Sequence, residues 1–180
     1  MTETERPFPA PRRPAGTLAL PGVLLLALLL SACASQPPAP IEERDVNERV
    51  RDPAREDAAG VQVYPLKNPA VAELTDQASR AEAAGDLDQA AVLLERAMRI
   101  QPRDPELLQH MAEVQLQRGR YEQALGFAVR SHDIGPRVGE LCARNWRTMS
   151  VAQERLGDRQ AARQSLERAE QCMVTRPSGL

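Results

Sequence analysis

Gly85-Asp86-Leu87-Asp88-Gln89-Ala90 and Gly119-Arg120-Tyr121-Glu122-Gln123-Ala124 are two copies of one pattern, 34 positions apart. Leu74 and Leu108, Ile100 and Ile134, and Pro102 and Pro136 keep the same separation. A third copy, Gly157-Asp158-Arg159-Gln160-Ala161-Ala162, follows after a slip of four residues. A repeat of this length is one supersecondary unit, which buries its apolar face only against its neighbours. From Pro69 onward the chain is rich in Ala, Leu, Glu, Gln and Arg, which favour helix. No stretch alternates with period two, so no sheet is expected. Each unit therefore reads as two helices joined at its glycine, which can take the left-handed conformation that ends the first helix. Pro102 and Pro136 block continuation of the second. The expected helices span 69–84, 87–100, 104–117, 121–134, 139–156 and 159–173.

The spacing resembles the tetratricopeptide repeat. That pattern wants a small residue at position 8, Gly at 15, Ala at 20, a large residue at 24, a small one at 27 and Pro at 32. With repeats at about 71–104, 105–138 and 143–176, the first gives Ala78, Gly85, Ala90, Leu94, Ala97 and Pro102. The second gives Ala112, Gly119, Ala124, Ala128, Ser131 and Pro136. The third gives Ser150, Gly157, Ala162, Leu166 and Ala169, with Val174 in place of the last Pro. Position 11, usually Tyr, is Ala81, Gln115 and Gln153, which predicts looser packing between helices. The fold class is all-α: three helical hairpins of an α-solenoid over 67–176, a tail at 177–180, and a disordered tether in front.

The resemblance also implies a concave groove lined by the first helix of each repeat. Its residues are Ala72, Thr75, Ser79, Glu82 and Ala83, then Glu106, Gln109, Glu113, Leu116 and Gln117, then Arg144, Arg147, Val151, Glu154 and Arg155. Gln109, Glu113, Leu116, Arg144, Arg147 and Val151 are the candidate contacts for a protein partner. The lining is acidic in the middle and basic toward the end, which suits an extended peptide carrying both signs of charge. Trp146 falls at an inward-packing position and reads as core.

Residues 1–32 read as a signal peptide. Arg6, Arg12 and Arg13 precede an apolar run from Leu18 to Leu30, shorter than the ~20 residues a spanning helix needs. Leu30-Ser31-Ala32-Cys33 resembles the bacterial lipobox, which implies cleavage between Ala32 and Cys33 and acylation of Cys33. Several acyl chains, at about 0.8 kcal/mol per buried methylene, give stable anchoring. Ala34 rather than Asp at the next position favours, by the same resemblance, the periplasmic face of the outer membrane.

Residues 33–66, the lipidated Cys and the segment behind it, read as a disordered tether. Gln36-Pro37-Pro38-Ala39-Pro40 is a short polyproline stretch, and the charged run after it has few apolar residues to offset ordering entropy. Ile41, Val46 and Val50, at spacings of five and four, allow a transient helix that Pro53 would stop. The tether reaches at most about 110 Å.

Cys142 lies early in the fifth helix and Cys172 at the end of the sixth, and in an antiparallel pair these ends meet. The expectation is a disulfide, permitted in the periplasm; the alternative is two buried free thiols. Nothing in the chain points to catalysis. His110 and His132, the only histidines, stand in no metal spacing. No serine sits in a nucleophile elbow, and there is no phosphate loop. The net charge of −2 carries no basic stripe for nucleic acid. No catalytic residue, metal, cofactor or small-molecule substrate is expected, the covalent lipid aside.

The layout is similar to the LpoP-type activators of class A penicillin-binding proteins. That resemblance implies a lipoprotein whose repeat domain binds a peptidoglycan synthase and raises its activity. The alternative is a pilotin-type or outer-membrane assembly scaffold.

Overall fold

The computed structural model describes residues 41–52 and 68–173. All of them fall in one unit, Pro38–Leu180, and among them there is no strand. The signal peptide, the cleavage site, Cys33 and the tail lie outside the described residues.

Six helices form three hairpins: α2 (Pro69–Ala83) with α3 (Leu87–Ile100), α4 (Pro105–Gln117) with α5 (Tyr121–Ile134), and α6 (Glu140–Arg155) with α7 (Arg159–Cys172). Each boundary lies within one residue of the sequence expectation. Gly85, Gly119 and Gly157 have φ of 78°, 71° and 88°. At each, the next amide bonds back across the glycine: Asp86 N–H to the Ala81 carbonyl, Arg120 to Gln115 and Asp158 to Gln153, all at 2.9 Å. This closes the first helix and reverses the chain. Asp86 and Asp158 then cap the second helices, their carboxylates accepting from the amides of Gln89 and Ala161.

The small residues sit where helices cross. Ala78, Ala90, Ala112, Ala124 and Ala128 are fully buried. Leu94 packs with Leu107, Met111 and Val114 of the next hairpin. Leu166, at the same repeat position in the last hairpin, is 49% exposed, because among the described residues nothing stacks beyond it. At the position that is usually Tyr, Gln115 is buried and Gln153 accepts a hydrogen bond from Ser165 at 2.7 Å.

One expectation is corrected. Residues 41–52, read as part of a disordered tether, form a short helix α1 (Glu43–Val46) that continues as a π-helical turn over Asn47–Arg51. Ile41, Val46 and Val50 are 2%, 1% and 0% exposed. The segment lacks the apolar content to fold alone, but the repeat domain supplies the surface that covers it. The described part of this segment runs to Asp52.

Candidate protein-binding groove

The first helices of the hairpins, α2, α4 and α6, bring Glu82, Gln109, Glu113, Leu116, Gln117, Arg144, Val151 and Glu154 of the predicted groove against residues 41–52 or one another. α4 and α6 are in direct contact, and α1 packs on α4 while the π-helical turn packs on α6. The floor has an apolar half and a charged half.

In the apolar half, Leu116 of α4, Tyr121 and Ala124 of α5, and Val151 and Ala152 of α6 form one cluster with Ile41, Val46 and Val50. All eight are buried. Burial raises the Tyr121 phenol above its ordinary range, against the opposing pull of Arg155.

The charged half centres on Glu113 and Glu82. Glu113 Oε1 accepts from Arg144 Nη2 at 2.6 Å and from Gln109 Nε2 at 2.8 Å. Its Oε2 accepts from Arg51 Nε at 2.7 Å. Gln109 Nε2 also lies 2.7 Å from Thr148 Oγ1, which ties α4 to α6. Glu82 Oε1 accepts from Arg51 Nη2 at 2.6 Å and from the Gln117 amide. Its Oε2 is 2.9 Å from His110 Nε2. One guanidinium thus spans two buried carboxylates from different repeats. At the rim Arg49 pairs with Glu154, and Arg155 lies 3.9 Å from Asp45.

A buried carboxylate survives only when paired. Burial pushes Glu113 up, but Arg144 and Arg51 outweigh it and hold the carboxyl down at about 2. Burial acts on Glu82 likewise, and the His110 hydrogen bond and Arg51 reverse it, leaving Glu82 below its ordinary range. Burial alone would lower the Arg51 guanidinium; Glu113 and Glu82 leave it raised instead.

Of the candidate contacts, Gln109, Glu113 and Arg144 therefore form the charged floor, and Leu116 and Val151 the apolar floor. Arg147 is buried in α6. Sequence reasoning missed Arg51, one of four arginines between Ile41 and Asp57, and gave His110 no role. Trp146 packs beside Ala112, Ala128 and Met149, with the His132 ring 4.8 Å away and the Arg168 guanidinium 4.7 Å from its centroid. At the far end Cys142 and Cys172 are joined by a disulfide, their Cα atoms 5.7 Å apart. The Gly139 amide donates to the Cys172 carbonyl at 2.7 Å beside it.

A tetratricopeptide-repeat family model matches residues 81–129. A search of curated proteins finds no match to the chain. Among solved structures, the globular C-terminal domain of P. aeruginosa LpoP is 33% identical, with a TM-score of 0.55. The match covers 58% of this chain and 99% of that one. With its three hairpins and a matching globular domain, the chain belongs to the tetratricopeptide-repeat proteins of LpoP type.

Proposed function

We propose that this protein is a lipid-anchored activator of a class A penicillin-binding protein, held at the periplasmic face of the outer membrane by acylated Cys33. The observation that carries the reading is the match to nearly the whole globular domain of LpoP at 33% identity. The groove supports it. A surface with an apolar half and a charged half is suited to capturing a segment of another protein. The lipobox at Leu30-Ser31-Ala32-Cys33 supports the anchor. In this reading the repeat domain does no chemistry itself. It binds the synthase and shifts it toward its active state, which requires only a difference in affinity between the two states.

The test is glycan polymerisation by the cognate class A synthase, with and without the protein spanning residues 34–180. A several-fold rise in rate is expected. An unchanged rate, with the protein folded and helical, overturns the activator reading. The anchor is tested separately with labelled palmitate: incorporation is expected in the wild type and absent in C33A.

A further inference from the structure

The groove is not open. Residues 41–52 lie in it, and they carry the marks of a ligand rather than of a structural helix. The α-helical part is one turn long and continues as a π turn, too short to persist away from a surface. It is joined to α2 only through residues 53–67. Three aliphatic side chains and one guanidinium make its buried contacts, set against the entropy of ordering the whole segment. Such a segment is held by its contacts with the hairpins, whereas the hairpins pack against one another without it. What it leaves behind is specific. Without Arg51, the buried carboxylates of Glu82 and Glu113 keep Arg144, His110 and two amides, an excess of negative charge beside an apolar shelf.

We infer that residues 41–52 are an intramolecular ligand that occupies the partner-binding groove. The partner that displaces them presents the same chemistry: a helical peptide with two aliphatic side chains four residues apart, followed directly by an arginine. The inference does not depend on which envelope protein is the partner. Tethering gives the resident segment an effective concentration on the order of millimolar. A free peptide must therefore compete with it, whereas a chain whose own segment has been released binds that peptide directly.

The probe is a fluorescent synthetic peptide of residues 41–52, titrated into the protein spanning residues 34–180 and into its V46D/V50D/R51E variant. Helix content by circular dichroism checks that the hairpins persist. The variant is expected to bind the peptide at least tenfold more tightly than the wild type does. A peptide carrying R51E is expected to lose binding to the variant. Equal affinities, or no binding by the folded variant, overturn the inference. Hydrogen exchange on the wild type gives an independent reading that needs no variant. Protected amides across 43–51, released by excess unlabelled peptide, are expected; exchange there at the rate of an unstructured chain overturns it. Sedimentation as a dimer that dissociates in the variant also overturns it, since the segment would then be exchanged between copies.

Discussion

Arg51 Nε lies 2.7 Å from Glu113 Oε2, across a sequence separation of 62 residues, and the carboxylate it reaches is fully buried. Glu113 is thus the point where the segment before the repeats meets the first helices of the second and third hairpins. Among the described residues, removing it leaves Arg51 paired with Glu82 alone and Arg144 with only Glu140, 3.9 Å away. Breaking one side of a buried ion pair typically costs about 3–5 kcal/mol. E113A is expected to lose stability of that order, measured by urea denaturation. A loss below about 1 kcal/mol would show that the cluster is not fixed by this carboxylate.

Acid should act on the same residue. The folded-state Glu113 carboxyl is held at about 2, against an ordinary value of 4.5. A depressed carboxylate contributes stability above its unfolded pKa, and this is lost as pH falls toward the folded one. Between about pH 4.5 and 2 the protein should therefore lose about 3 kcal/mol from this group. Glu82, shifted in the same direction, acts with the same sign. Denaturation midpoints at pH 7, 4 and 3 check it, with E113Q expected to flatten the dependence.

Gly85 has φ of 78°, and a Cβ placed there would meet nothing within 4 Å. The cost of G85A is therefore conformational alone, about 1–2 kcal/mol for a side chain in the left-handed region. A thermal melt reads it. No change in midpoint would show that the turn relaxes to another conformation.

The Cys142–Cys172 bond closes a loop with a sequence separation of 30. In the chain-entropy model such a link adds roughly 3–4 kcal/mol. The pair C142S/C172S, or reduction, should lower the melting temperature and raise hydrogen exchange first in α6 and α7. Uniform change along the whole stack would mean that the bond does not act locally.

Docking also shortens the leash. With Cys33 lipidated as proposed and residues 41–52 seated, residues 34–40 separate the anchor from the groove, a ceiling of about 25 Å. Release restores the full tether, about 110 Å. The V46D/V50D/R51E variant, lipidated on a supported bilayer, should stand further from the membrane by neutron reflectometry. An unchanged height would count against seating in the anchored protein.

The repeat was legible because its information is local. A glycine that must turn left-handed, alanines that must let helices meet and prolines that must stop them recur at a fixed period. The helix boundaries followed within a residue. Residues 41–52 were not legible for the converse reason. Their three aliphatic residues are too few to predict burial, and what buries them, Leu116, Tyr121 and Val151, lies some 70 to 110 positions along the chain. The spacing of Ile41, Val46 and Val50 permitted a helix. Nothing in the run distinguished Arg51 from Arg44, Arg49 or Arg55 as the arginine that reaches two carboxylates. His110 gained its role in the same way, from a Glu82 brought to it by the stacking of repeats.

The most direct test of the groove as the working surface is hydrogen exchange on the protein spanning residues 34–180, alone and with the cognate class A synthase. The synthase is expected to strip protection from residues 43–51 and to add it along the groove faces of α4 and α6. Protection added elsewhere, with 43–51 unchanged, would contradict it.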